Sequence, residues 1–278
     1  MVIPYWEIPK LQLPFGEKLD IFGVLSAGGI ALGAYLAARA ARTKAPGDDN
    51  PLRDVAFAAI VVGLIGAHLM HVFGYHPELL KGKSAWDATL VVVRIWDGLS
   101  SMGGVLGALA GIIWWFRKEK IPLGPYLNAL ALGTAPGWAL ARVGCFFVHD
   151  HPGLKSDFFL AVDFPARVWP GGPRHDLGLY DMFVLSAISA LLWWMARKPQ
   201  PEGRLMGVLA LTYSVCRFFL DFLRASDVSF VDARYLGLTP AQYIVVGLAG
   251  VGVWLLWKSK GQPGQVLASP PVPATAGR

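Results

Sequence analysis

Apolar residues along this chain gather in long runs separated by short charged connections. A helix crossing the hydrocarbon of a bilayer needs about 20 mainly apolar residues. Seven stretches reach that scale: 20–41, 54–74, 99–116, 123–143, 178–196, 204–223 and 239–257. The pattern predicts an all-α integral membrane protein with seven transmembrane helices. Basic residues mark alternate connections: Arg39, Arg42, Lys44 and Arg53 after the first run, Arg117, Lys118 and Lys120 after the third, Arg197, Lys198 and Arg204 after the fifth, Lys258 and Lys260 after the seventh. Positively charged connections stay in the cytoplasm, so the N-terminus is expected outside and the C-terminus inside. Trp114/Trp115, Trp193/Trp194 and Trp254/Trp257 precede basic clusters, where an interfacial aromatic belt belongs. All six histidines then fall on the outer side.

Residues 1–260 read as a single seven-helix domain with an external loop near 144–177, and 261–278, rich in Pro, Gly and Ala, as a disordered tail. The first twenty residues lack a basic segment followed by a long apolar core, so no cleaved signal peptide is expected. With 54% apolar and 16% charged residues, the 278-residue chain is too hydrophobic for an ordinary soluble domain. The net charge of +6 sits in the connections, which excludes nucleic acid as a partner. Two cysteines, Cys145 and Cys216, make no disulfide framework.

Polar residues inside the runs carry the candidate chemistry. In "RLMGVLALTYSVCRFFLDFLRASD" the positions Tyr213, Arg217, Asp221 and Arg224 fall within about 80° of one another at 100° per residue. Ionisable residues in a span are costly and face a bundle interior or a wet cavity. An internal Arg217–Asp221 pair at i, i+4 would neutralise itself, but it leaves Arg224, Tyr213 and Arg142 of the fourth run unexplained. Three arginines at one level suit an anion, because a guanidinium fork holds phosphate bidentately and stays charged; a phospholipid headgroup is the nearest abundant one. Taken alone, Arg142 also fits a snorkelling interfacial residue. "LARVGCFFVHDHPG", from Leu140 to Gly153, adds His149, Asp150 and His151. "WDGLSSMGGVLGALAG", from Trp96 to Gly111, suits close helix packing. "HLMH", from His68 to His71, lacks a third ligand at a recognised spacing, and neither a metal nor a cofactor is expected.

From about Ile21 to Trp257 these motifs together resemble the prolipoprotein diacylglyceryl transferase family. "ARVGCFFVHDHPG" is similar to the signature GR-hydrophobic-GNF-hydrophobic-NGE-x-x-G, with Arg142, Gly144, Phe146 and Gly153 in register and Asp150 in place of the glutamate. "WDGLSSMGG" resembles WDGG-x-SFHGG, "HDLGLYD" resembles HPSQLYE, and "YSVCRFFLDFLRASD" resembles Y-x-x-x-R-x-x-x-EFFR-x-PD, which also takes in Asp227. "TPAQY", from Thr239 to Tyr243, is similar to the opening of the family's last helix. The departures are Met102 for the HGG histidine, Cys145 for the signature asparagine, Phe22 for a tyrosine, and Asp150 and Asp221 for glutamates.

The resemblance implies a multi-pass protein of the bacterial inner membrane, with a periplasmic N-terminus and no cofactor. Its implied activity moves diacylglycerol from phosphatidylglycerol to the lipobox cysteine of a prolipoprotein signal peptide, releasing glycerol 1-phosphate. It implies catalytic roles for Arg142, Arg217 and Asp150, and a thiol base among His149, His151 and His175, since Met102 has no useful basicity. Tyr213, Asp221, Arg224, Gly103, Gly104, Gly144, Gly153 and Tyr180 are the implied substrate-binding set. Competing readings are a phospholipid-binding membrane protein that lost catalysis along with the HGG histidine, and a metal or haem protein built on the outward histidines. A proton-coupled transporter lacks support, because no pseudo-symmetric half or pair of interrupted helices is visible.

Overall fold

Long apolar runs become helices because lipid offers the backbone no other hydrogen-bond partner. The computed structural model describes residues 2–6, 8, 11–12, 18–19, 21–41, 51–95, 97–169, 171–228 and 234–264, except the side chains of 11, 12, 18, 19, 53, 75, 101 and 102. Most of the tail expected from 261 lies outside the described residues. In chain order the elements are β1 (Ile3–Pro4), β2 (Leu11–Gln12), β3 (Lys18–Leu19), α1 (Ile21–Ala40), α2 (Pro51–Leu69), α3 (Ala85–Val93), α4 (Ser101–Lys118), α5 (Leu127–Val148), β4 (Pro152–Lys155), β5 (Val162–Phe164), β6 (Gly172–Asp176), α6 (Leu177–Met195), α7 (Arg204–Leu220) and α8 (Pro240–Lys258). A π-helical turn, Met70–Tyr75, continues α2, and a 3-10 turn, Asp221–Leu223, continues α7.

Six helical segments among the described residues are long and apolar enough to cross a membrane: Ile21–Ala40, Asp54–Gly74, Gly124–Val148, Leu177–Met195, Arg204–Leu223 and Pro240–Lys258. This is the make-up of a multi-pass membrane protein. The remaining expected run, 99–116, folds as α4, whose last turn carries Arg117 and Lys118; those two charges dilute its apolar content. The expectation of an all-α chain needs correction, because four strands form a sheet in the order β1–β5–β6–β4 and β2 pairs with β3. These strands are two to five residues long and include "PGLK" and "GPRHD". Such sequences lack both period-two alternation and strong β-formers, so tertiary pairing rather than propensity makes them. The loop expected over 144–177 is correspondingly shorter, since α5 runs on to Val148.

The chain divides into two compact units, Met1–Lys44 with Pro125–Arg278, and Ala45–Gly124. In the first, α5, α6 and α7 share a core of Leu132, Ala135, Leu185, Leu192, Leu205 and Leu209. Buried Asn128 ties α5 to α7: its amide donates to the Pro201 carbonyl (2.8 Å) and its oxygen accepts the Leu205 N–H (2.9 Å), one of the amides that a helix start leaves unpaired. Helix α1 lies backbone-on-backbone against α5, since a side chain on Gly133 or Gly137 would overlap the carbonyls of Gly33 and Gly29. Asp176 caps α6 by accepting the Leu179 N–H, and Thr239 with Gln242 forms a capping box on α8. The C-terminal end of α5, the N-terminal ends of α6 and α8 and the C-terminal end of α7 therefore meet at one end of this unit.

In the second unit α2 packs on α4 through glycine. A side chain on Gly66 would come within 2.7 Å of the Gly103 carbonyl oxygen, and one on Gly111 within 2.7 Å of the Ala58 carbonyl oxygen. His68 is buried, with Nδ1 3.0 Å from the Gly98 carbonyl and Nε2 3.0 Å from the Val91 carbonyl. It thereby ties the end of α3 to the turn before α4.

Candidate active site

Arg142 and Cys145 sit one turn apart near the end of α5, Asp181 just past the first turn of α6, Tyr213 and Arg217 on α7, and Asp221 and Arg224 just past it. Asp181 is fully buried, and its Oδ2 accepts from Arg217 Nη1 at 2.9 Å while standing 3.3 Å from Arg142 Nε. Asp221, also fully buried, accepts at Oδ1 from Arg217 Nη2 (3.1 Å) and Arg224 Nε (3.1 Å). Its other oxygen accepts from the Thr239 hydroxyl at the head of α8. The i, i+4 pair on α7 is thus real, yet it is only one link in a chain of charge across three helices.

Three guanidiniums and two buried carboxylates come together where charge is expensive to bury. Among the described residues, Arg142 Nε and Asp181 Oδ1 are buried without a hydrogen-bond partner; Arg142 Nε is close to Asp181 but not aligned for a bond. Guanidinium forks grouped in this way suit an anion. Tyr213 lies against it on the bundle side, its ring 4.5 Å from that of Trp138.

His151 joins from the loop, with Nε2 3.1 Å from Arg142 Nη1. Arginine only donates, so this ring nitrogen is the acceptor and the imidazole is neutral. Burial, reinforced by the charges of Arg142, Arg224 and Arg217, holds its pKa well below the ordinary histidine value. Asp150 lies 3.7 Å from the same nitrogen, with 41% of its side chain exposed. Its crowded, partly dehydrated surroundings push its carboxyl up to about 6, against the pull of Arg142. Arg142 Nη1 also reaches Cys145 Sγ at 3.4 Å. The thiol, an Asp150 oxygen and a His151 nitrogen all lie within 4.8 Å of one another, a donor set able to hold a metal ion.

The other two histidines of the expected set stand apart from the arginines. His149 closes α5 in the left-handed conformation, φ 51°. Its Nδ1 is 2.7 Å from Asp176 Oδ2, its Nε2 3.3 Å from the Trp6 carbonyl, and its ring packs on Tyr5, Phe146 and Phe164. His175 pairs with the Tyr180 hydroxyl at 2.7 Å, and burial lowers its pKa. A side chain on Gly153 would come within 2.7 Å of both His175 Cβ and the Leu223 carbonyl oxygen, and one on Gly144 within 3.2 Å of Phe22 Cα. Gly103 and Gly104 belong to the second unit, where Gly103 abuts Gly66. The Met102 side chain lies outside the described residues.

Asp181 escaped the sequence-based set. Two signals were present, namely an acid inside an apolar run and the final letter of "HDLGLYD". Arg174 is also fully buried; it donates to the Gly153 carbonyl at 3.1 Å and holds Asp227 bidentately, keeping that carboxyl below its ordinary range.

The family model described as prolipoprotein diacylglyceryl transferase matches residues 11–258. A phosphatidylglycerol–prolipoprotein diacylglyceryl transferase of Polynucleobacter asymbioticus is 30% identical over 207 residues, covering 74% of this chain and 76% of its own length. Proteins of the same name from Chromohalobacter salexigens, 25% identical over 94% of this chain and 96% of their own, and Pseudomonas fluorescens, 27% identical over 92% and 94%, are similar along almost the whole length. The match takes in α5, α6 and α7 together with the arginine cluster they carry, and the chain belongs to the prolipoprotein diacylglyceryl transferase family.

Proposed function

We propose that this chain transfers the diacylglyceryl group of phosphatidylglycerol to the cysteine thiol of a prolipoprotein lipobox, forming a thioether and releasing glycerol 1-phosphate. The observation that carries the proposal is the Arg142–Asp181–Arg217–Asp221–Arg224 chain, which sets three guanidiniums at the ends of α5 and α7. The thiolate sulfur attacks the sn-3 carbon of the diacylated glycerol and the C–O bond to phosphate breaks. The electron pair leaves with the phosphate of glycerol 1-phosphate. Arg142 and Arg217 stabilise that developing charge, a task in which preorganised donors are worth about 3–4 kcal/mol each.

Asp150 receives the thiol proton in this mechanism. A carboxylate with a pKa near 6 is matched to work close to neutrality, and it is the more exposed partner of the Asp150–His151 pair. His151, neutral and accepting from Arg142, positions the guanidinium. His149 holds the end of α5 against the sheet, and Gly144 and Gly153 allow close packing beneath the site. The His175–Tyr180 pair lies beside Gly153, where an acyl chain or the signal peptide would pass.

The membrane arrangement belongs to the same proposal. Helix α4 serves as a seventh span, with the N-terminus periplasmic, the C-terminus cytoplasmic and the arginine cluster facing the periplasm of a bacterial inner membrane. The alternating basic connections support that orientation. Met102, where the family motif has histidine, favours a second reading, a phospholipid-binding protein without transferase activity. Complementation of a strain depleted of its own diacylglyceryl transferase separates the two: growth and lipidated prolipoprotein support transfer, and stable expression without either leaves the binding protein.

A further inference from the structure

One cluster near the arginines has a composition that anion binding does not call for. Cys145 Sγ and His151 Nε2 both accept from a single nitrogen, Arg142 Nη1, at 3.4 and 3.1 Å, so their lone pairs converge on one point. Asp150 Oδ1 is 3.7 Å from the histidine nitrogen, and the three donors lie within 4.8 Å of one another. Ligands around a tetrahedral zinc, with bonds of about 2.0–2.3 Å, are about 3.5 Å apart. The set therefore needs to contract by only about 1 Å. Thiolate, imidazole and carboxylate together are the donor chemistry of zinc rather than of magnesium or calcium.

We propose that Cys145, Asp150 and His151 form a binding site for a soft divalent cation of the zinc class, and that its occupancy shuts down transfer by taking away the partners of Arg142. The site differs from a resident cofactor site, since the reaction as proposed needs no metal. Thiolate and carboxylate cancel the two charges of the ion. Arg142, displaced from Cys145 and His151, keeps Asp181 at 3.3 Å as its counter-charge. The side chains of Asp150 and His151 are 41% and 21% exposed, which gives the ion a route in, and water completes the fourth position. Cys145 stands where the family signature carries asparagine, so the thiol ligand is a feature of this chain.

The inhibitory half rests on the transferase reading and the binding half does not, so the two are measured separately. The full chain, purified in detergent and freed of metal, is titrated with Co2+ as a spectroscopic stand-in for Zn2+. The expected result is one equivalent bound with a thiolate-to-cobalt band in the near ultraviolet. That band disappears in Cys145→Ser and persists in Cys216→Ser, and Asp150→Asn binds at least tenfold more weakly while retaining it. A spectrum without a thiolate band, or Cys145→Ser binding as tightly as the parent, overturns the site. In phosphatidylglycerol vesicles, Zn2+ but not Mg2+ is expected to inhibit, with reversal by a chelator. In Cys145→Ser, half-inhibition referred to that variant's own metal-free rate moves to at least tenfold higher Zn2+. Zinc binding with an undiminished rate overturns the blocking role. A metal-free parent that transfers nothing counts against the transferase reading, and the cobalt spectrum still decides the site.

Discussion

Replacing Arg217 by lysine keeps the charge and removes the fork. The native guanidinium uses Nη1 on Asp181 and Nη2 on Asp221, at 2.9 and 3.1 Å, and so holds α6 and the end of α7 in one geometry. A single ammonium on a flexible stem cannot reach both carboxylates along the same directions, and one fully buried carboxylate loses a charged hydrogen bond worth about 1.5–3 kcal/mol. At about 1.4 kcal/mol per tenfold, a cage that works by orientation loses about 10- to 150-fold in kcat/KM. The assay follows labelled diacylglyceryl from phosphatidylglycerol vesicles to a lipobox peptide, with a melting curve in detergent to show that the variant is folded. Activity within threefold of the parent in a folded Arg217→Lys would mean that charge alone suffices and that the fork plays no part.

If Asp150 is the thiol base, only its ionised form works. The rate should climb about tenfold per pH unit below 6 and level off above it, and Asp150→Asn should abolish the inflection at a cost of about 10²–10⁴ at neutral pH. Part of that loss should return above pH 8 as the acceptor thiol ionises unaided. His149→Ala should behave as a stability variant, losing about 1.5–3 kcal/mol with the Asp176 bond and lowering the melting temperature; removal of the pH inflection by this change would assign the base to His149 instead. For the orientation, single cysteines near Lys118 and Lys198 should react with an impermeant thiol reagent only from the cytoplasmic side, and one near Asp157 only from the other side; the reverse pattern rejects the outward-facing mechanism.

Hydropathy alone located the long helices, because a membrane span must be long, apolar and self-bonded, and it passed over the nine-residue α3. The polar stripe on α7 was visible for the same reason: Arg217 and Asp221 inside an apolar run are conspicuous. What periodicity could not supply was the partner on another helix. Asp181 reads as a lone acid near the start of a run until α6 is packed against α7, and Asp221 meets Thr239 only when α8 closes on the same end. The sheet was equally invisible, since its two- to five-residue strands are held by pairing between distant segments rather than by β-propensity. His149 and His151 are two positions apart, with like composition around them. The left-handed turn at His149 sends one ring to Asp176 and the other to Arg142, and that divergence is a matter of backbone geometry.

The most direct test of the account is transfer by the purified chain itself. It is reconstituted in phosphatidylglycerol vesicles with a synthetic peptide carrying one lipobox cysteine, and the products are read by mass spectrometry. The expected products are a peptide bearing diacylglycerol in thioether linkage with equimolar glycerol 1-phosphate, and a serine-for-cysteine peptide left unmodified. Folded protein that binds phosphatidylglycerol and leaves the cysteine peptide unmodified would contradict the proposed transfer.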